Sequence, residues 1–405
     1  MTEAVIVATA RSPIGRAGKG SLKDLRADDL SVQMVGAALA QVPELDPHEI
    51  SDLILGCGLP GGEQGFNLGR VVAVLAGYDH LPGTTITRYC SSSLQATRMA
   101  FHAIRAGEGD AFITAGVEVV SRFAKGSSDY IPGQDDLENP LFEAAVERSK
   151  EGAGGWTDPR ENGLLPDVYI AMGQTAENVA ELTGMSRAEQ DAFAARSQNL
   201  TEKAIADGFW AQDITPVTLA DGTVVDRDDS PRPGTTTEVL AGLKPVFRPD
   251  GTVTAGNACP LNDGAAALVV MSDSRARELG ITPLARILST AVTGLSPEIM
   301  GLGPVDAIPL ALKNAGLTLA DVDRFEINEA FAVQCLASAQ KLGIDIDRLN
   351  VKGGAIAVGH PFGMTGARIT STLINVLRAD DRQIGVESKC VGGGMGMAMV
   401  IERLS

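Results

Sequence analysis

The 405-residue chain is poor in aromatic side chains, at 4%, and has only four histidines, so its core must come mainly from Ala, Val, Leu and Ile. It holds five cysteines, at 57, 90, 259, 335 and 390, with no CxxC pair. An odd, scattered set argues against a disulfide framework and against a zinc site. Basic residues are scarce: 34 Lys and Arg against 51 Asp and Glu give a net charge of −17. That balance excludes a basic nucleic-acid face and attraction to anionic membranes. No apolar run approaches the ~18 residues of a membrane span. The longest, Val71–Ala76 and Ala265–Met271, have core-strand or core-helix length. The short run between Glu3 and Arg11 is no secretory leader. Free thiols without an export signal point to the cytoplasm.

What is abundant is glycine, 46 residues, suited to tight turns and close backbone approach. Residues 1–120 alternate strand-like runs (Ala4–Ala8, Asp52–Leu55, Ala111–Ala115) with amphipathic stretches (Leu30–Gln41, Leu94–Ala106). Such alternation reads as α/β. Residues 121–250 are irregular, rich in Gly, Pro and Asp at Asp129–Asn139, Gly152–Asp167 and Asp221–Gly234. They surround one predicted helical stretch, Gln174–Asp207, with a capping-box pattern from Ser186 to Glu189. From Thr252 the α/β alternation returns.

The outer zones resemble each other. Leu45–Leu55 and Leu317–Ile327 share an apolar pattern 272 residues apart. Leu94, Arg98, Met99 and Ile104 match Met364, Arg368, Ile369 and Ile374 at an offset of 270, which sets Cys90 opposite His360. Amphipathic segments agree in part by chance, but a near-constant offset in two places favours duplication. The predicted organisation is two α/β halves around an insertion: 1–120 completed by about 251–280, then 121–250 as a loop domain, then 281–405.

Four segments could carry chemistry. Cys90, in Thr87–Ala96, opens a predicted helix, where unpaired backbone N–H groups favour a thiolate. A buried small residue is the usual fate of free cysteine, and taken alone the segment leans that way. His360 lies in a glycine-rich bend before a helix; His48, His80 and His102 sit in ordinary contexts, so His360 is the candidate base. Cys390 precedes Gly392, Gly393, Gly394 and Gly396, whose amides could receive an oxyanion. No Lys-Ser/Thr follows, so this is no P-loop. Asn328, in Ile327–Ala332, is either a site residue or simply a helix N-cap. Gly56–Gly61 satisfies GxGxxG, yet Pro60 and the surrounding glycines prevent a helix from opening, so a nicotinamide site is rejected. Met172 and Met300 fill gaps or line an acyl pocket. Cys57 and Cys335 read as core or loop thiols.

The Cys90 segment, Met172–Asn178, Ala255–Ala258, Asn328–Ala332, Gly359–Pro361 and Cys390–Gly394 together resemble the thiolase family, acyl-CoA:acetyl-CoA C-acyltransferases, from Ala4 to Glu402. Six motifs in order favour the functional reading of Cys90. The resemblance implies an α/β fold: a duplicated αβαβα five-layer core with an inserted loop domain, in a homodimer or homotetramer. It implies Cys90 as nucleophile, His360 as its base, Cys390 as the second acid–base thiol and Asn328 as holder of a water at the enolate oxygen. The N–H groups of Cys90 and Gly392 would form a second oxyanion hole. It implies coenzyme A or acyl-CoA as substrate, no permanent cofactor and no metal. Arg232, Leu243, Phe247, Ala255 and Cys259 are candidate CoA contacts, with local positive charge from Arg232, Lys244 and Arg248.

Three departures stand out. Ser93 replaces a common Gly and would crowd the nucleophile turn; Cys259 replaces a Ser; Ala171 replaces a His of short-chain biosynthetic enzymes, suggesting a roomier pocket. The pattern is similar to bacterial degradative thiolases of fatty-acid or steroid side-chain breakdown. A biosynthetic acetoacetyl-CoA thiolase is the alternative. A non-catalytic acyl-CoA- or lipid-binding relative would be expected to lose Cys90, His360 or Cys390, and a ketoacyl synthase would want His at 328 and lack Cys390.

Overall fold

The computed structural model describes residues 2–126, 139–151 and 156–405. Residues 129–138 and 152–155 of the Gly/Pro/Asp-rich stretches lie outside these. Among the described residues there are twelve strands: β1 (Ala4–Arg11), β2 (Gly15–Arg16), β3 (Asp52–Cys57), β4 (Gly83–Ile86), β5 (Ala111–Val119), β6 (Val217–Thr218), β7 (Val224–Val225), β8 (Asn262–Ser272), β9 (Ala285–Gly294), β10 (Arg324–Ile327), β11 (Ile384–Val391) and β12 (Met395–Arg403). The main sheet runs β10-β11-β12-β9-β1-β8-β5-β3-β4, with β2 on β8.

That order contains a repeat. β3-β5-β8-β1 recurs as β10-β11-β12-β9, each with one parallel pair followed by two antiparallel pairs. The halves meet where β1 and β9 pair only at Val5–Arg286 and Ile6–Ala285. Side chains alternate across the strands as a two-faced buried sheet requires. Ala265, Ala267, Val269 and Met271 face outer helices that include Ala27–Leu39, while Ala266, Leu268 and Val270 face inward. In the second half Ala398 and Val400 face outer helices, including Gly303–Ala315 and Ala332–Leu342, and Met397, Met399 and Ile401 face inward. Between the sheet halves lie two central helices, Ser92–Ala106 and Thr365–Ala379, packed through Leu94, Ala96, Ala367 and Leu373. Each fully buried Leu or Met there contributes roughly 1.5–3 kcal/mol. The layers are thus αβαβα.

The duplication has a more precise register than the apolar pattern predicts. The turn Pro47–Glu49 and β3 recur as Leu319–Asp321 and β10 at the predicted offset of 272. The central helices, each of 15 residues, begin at Ser92 and Thr365, an offset of 273 rather than 270. β5 and β11, starting at 111 and 384, agree with 273. Cys90 therefore stands opposite Gly363, not His360. A helix presents the same face again after 3.6 residues, so a slip of three leaves its apolar stripe nearly unchanged.

Between β5 and β8 the predicted single helical stretch is two helices, Met172–Thr183 and Arg187–Ala206. Gly184, at φ 66, ends the first; Ser186 and Glu189 form the predicted capping box of the second. No helix among the described residues is long and apolar enough to cross a membrane.

Candidate active site

Cys90 sits in a tight turn, Tyr89–Ser91, that leads into the first central helix. Tyr89 has φ 43, a left-handed conformation costing of order 1–3 kcal/mol for such a residue. Ser92 locks the turn: its Oγ accepts from Arg88 N at 2.9 Å and donates to Tyr89 O at 2.7 Å. Gly56 lets the helix approach β3, because a Cβ there would lie 2.3 Å from Ser92 C and Ser93 N. Ser93 does not crowd the turn as expected. It faces the other central helix, and its Oγ accepts from Ala367 N at 2.9 Å.

Cys90 is 9% exposed, at the base of a cavity of about 300 Å³ walled by Leu59, Tyr89, Ile170, Met172, Phe362 and Gly392. Burial pushes its thiol up to about 11; bonds from the N–H of Gly392 and its own N–H, and the charge of Lys389, pull the other way. The helix-terminus thiolate expected from sequence is therefore not the resting state: desolvation outweighs the helix end. The two amides nonetheless converge on this sulfur.

His360 is buried, and its ring environment fixes its tautomer. Thr365 Oγ1 donates to Pro361 O at 2.7 Å, which leaves the oxygen to accept from His360 Nδ1, also at 2.7 Å. Nε2 therefore carries the lone pair and receives Asn328 Nδ2 at 3.3 Å. Burial, then the charges of Arg368 and Lys389, hold the imidazole down at about 3, so it is neutral. The bend is held by His360 N donating to Asn262 Oδ1 at 3.0 Å. Gly359, at φ 115, permits it: a Cβ there would lie 2.7 Å from Asn262 Oδ1. Asn328 is not a helix N-cap. It follows directly on β10, with its N–H on Ser388 O at 2.9 Å, and the next helix starts only at Ala332.

Cys390 is the penultimate residue of β11 and is fully buried in a cluster with Met300, Val333 and Phe331. Burial drives its thiol well up, and negative charge on Cys90 or Cys259 would drive it further. Cys259 is raised by burial and then by Cys90, so the three thiols are electrostatic neighbours. Lys389 is likewise fully buried, donates to Glu387 Oε2 at 3.0 Å, and acts on Cys90, Cys390 and His360 alike.

Of the other candidates, Met172 lines the Cys90 cavity, whereas Met300 is 1% exposed beneath Cys390 and lines no part of it. Phe247 packs edge-to-face on Phe331 at 6.2 Å. The Ala255–Cys259 segment docks on the Asn328 motif: Cys259 N donates to Ala330 O at 3.0 Å and Ala332 N to Asn257 O at 2.8 Å. Leu243 lies against Gly256, and Ala255 is exposed. Arg232 is exposed, its N–H on Gln198 Oε1 at 2.9 Å, and it does not line the Cys90 cavity. Arg248 is committed elsewhere, to Gln174 Oε1 (2.7 Å), Asn178 Oδ1 (2.5 Å) and Glu181 Oε1 (2.7 Å).

Two residues escaped the sequence reading. Glu118, fully buried, accepts from the N–H groups of Gly58 (2.7 Å), Leu59 (3.2 Å) and Gly363 (2.9 Å), tying the cavity wall to the His360 bend. A lone acid in the apolar run Ala111–Val119 was the available signal. Glu298, buried, accepts from Arg148 Nη2 (3.0 Å), Trp156 Nε1 (2.7 Å) and Asp167 N (2.9 Å). Nothing in its neighbourhood along the chain marks it.

Residues 4–274 match the family "Thiolase, N-terminal domain" and 281–403 match "Thiolase, C-terminal domain". The chain is 42% identical to a 3-ketoacyl-CoA thiolase of Bacillus subtilis, covering 99% of this chain and 100% of that protein. The dimeric peroxisomal thiolase of Saccharomyces cerevisiae superposes with TM-score 0.87 at 36% identity, over 99% of this chain and 97% of that one. Human mitochondrial 3-ketoacyl-CoA thiolase, solved in complex with CoA, gives TM-score 0.87 at 36% identity, over 100% and 98%.

Proposed function

The chain belongs to the thiolase family, and from that premise we propose that it is a degradative 3-ketoacyl-CoA thiolase, an acyltransferase that cleaves a 3-ketoacyl-CoA with free CoA to an acyl-CoA and acetyl-CoA. The observation that carries the reading is the two backbone N–H groups converging on a buried cysteine, in a cavity walled by the Phe362 that packs on His360, whose basic nitrogen is set by Thr365.

His360 Nε2 takes the Cys90 proton as sulfur attacks the 3-keto carbonyl. Since the thiol is raised and the imidazole lowered by burial, the pair rests neutral, and charge separates only as the oxyanion forms. The N–H groups of Cys90 and Gly392 receive that oxyanion. Carbon–carbon cleavage leaves acetyl-CoA enolate, whose oxygen meets His360 and a water held by Asn328, and whose carbon takes a proton from Cys390. Incoming CoA then resolves the Cys90 thioester. Lys389 lies where it offsets negative charge on either sulfur.

We assign residues 121–250 as the CoA-binding loop domain, with Arg232, Leu243, Phe247, Ala255 and Cys259 along the CoA path. The enzyme works in the cytoplasm as a homodimer or homotetramer; the dimeric yeast relative and the outer edge of β4, which pairs with no other strand among the described residues, support assembly. The test is turnover of acetoacetyl-CoA and longer 3-ketoacyl-CoAs with free CoA, read as acetyl-CoA formed. Mass spectrometry should find an acyl adduct on Cys90 that is absent from Cys90→Ala. No turnover and no adduct at any chain length would sink the reading.

A further inference from the structure

The cavity over Cys90 has a neighbour. Val168 lines it, and also lines a second cavity of about 510 Å³ bounded by Phe142, Arg160, Pro166, Leu295 and Pro297. Each volume falls within the ordinary range for a small-molecule pocket, ~300–1,000 Å³. Val168 is the residue that the two linings share, between a space that opens on the nucleophile and a larger, mainly apolar one.

Val168 is held firmly for a loop residue. The N–H of Asp167 donates to Glu298 Oε1 at 2.9 Å, and the N–H of Tyr169 donates to Asp167 Oδ1 at 2.9 Å. Asp167 is 1% exposed and Glu298 4%. Glu298 is in turn anchored through its own carbonyl, which accepts Asn178 Nδ2 at 2.8 Å. The backbone on both sides of Val168 is therefore pinned, so its position between the two linings is set by the fold. A third cavity meets the first at Leu59, but its remaining lining is Pro60, Gly61, Gly62 and Phe123, which offers a chain far less apolar side-chain surface.

We propose that Val168 sets acyl-chain selectivity: the acyl group on Cys90 passes Val168 and its tail lies in the outer cavity on Phe142, Pro166, Leu295 and Pro297, which makes long apolar 3-ketoacyl-CoAs the preferred substrate class. The proposal rests on the thiolase reading above and extends it to chain length. Arg160 and Asp158 at the outer cavity mark its polar end.

The measurement is the ratio of kcat/KM for 3-ketopalmitoyl-CoA to that for acetoacetyl-CoA. Val168→Trp fills the passage between the two cavities and should lower the ratio roughly ten-fold or more, the scale at which an apolar pocket discriminates by size. Leu295→Trp fills the outer cavity without entering the first and should lower it in the same direction, so a folding defect at position 168 does not decide the matter. Phe123→Trp, confined to the third cavity, should not lower it. An unchanged ratio in both Val168→Trp and Leu295→Trp, or a fall confined to Phe123→Trp, overturns the assignment while leaving thiolase activity in place. Absence of turnover and of a Cys90 adduct in the unmodified enzyme overturns the function itself.

Discussion

Thr365 touches no reacting atom in the proposed mechanism, yet it decides which nitrogen of His360 is basic. Its hydroxyl hydrogen is spent on Pro361 O, so it can only accept from Nδ1. Replacing it with valine removes that acceptor and frees the ring to adopt the other tautomer, with Nε2 protonated and useless as a base. Thr365→Val is expected to lower kcat by on the order of ten-fold to a hundred-fold, the lower part of the ~10²–10⁴-fold worth of a well-placed base and below it, because the base itself is kept. KM should hardly move, and Thr365→Ser should restore most of the rate; a purely structural role would not be rescued so selectively. Steady-state kinetics of the two variants checks this.

Among elements, the short helix Phe209–Asp213 does more than its five residues suggest. Asp213 accepts Arg11 Nε (2.9 Å) from β1, and Ser371 Oγ (3.1 Å), Thr372 Oγ1 (3.1 Å) and Asn375 Nδ2 (2.8 Å) from the second central helix. One buried carboxylate thus joins three elements, including the helix that begins with Thr365. Asp213→Ala strips Arg11 of one of its two carboxylate partners, Asp228 at 2.6 Å being the other. Breaking a buried pair on one side costs roughly 3–5 kcal/mol. Urea unfolding should show that loss, and kcat should fall less than in Thr365→Val.

At the scale of the whole molecule, buried ionisable groups set a pH window. His360 is held at about 3 against an ordinary 6.5, so the unfolded chain binds a proton that the folded one refuses. Its contribution to stability is intact above 6.5 and is lost as pH falls from there toward 3. Glu326, raised by burial to about 8 from 4.5, has the opposite sign: its contribution is intact below 4.5 and is lost as pH rises toward 8. Glu118 and Glu329 are shifted in the same direction as Glu326. Glu326→Gln removes one such proton linkage. Between pH 5 and 8 the wild-type protein should lose stability relative to this variant, on the order of 1 kcal/mol per pH unit. Denaturant melts of both proteins across that range, or a difference that stays constant with pH, decide it.

Strands β1, β3 and β5, the duplication and the identities of Cys90, His360, Asn328 and Cys390 as candidates were legible in residue order. Apolar periodicity and chemically distinctive side chains are local properties, and they survive being read one neighbour at a time. The register of the second central helix was not legible, because a slip of three residues barely turns a helical face. Nor was the resting charge of Cys90: a helix end is visible in sequence, but the burial that overrides it comes from segments far away along the chain. The tautomer of His360, the clamp of Glu118 on Gly58 and Gly363, and the pinning of Val168 through Glu298 belong to the same class. Each depends on residues brought together from distant parts of the chain, and only the packed tertiary structure decides who meets whom.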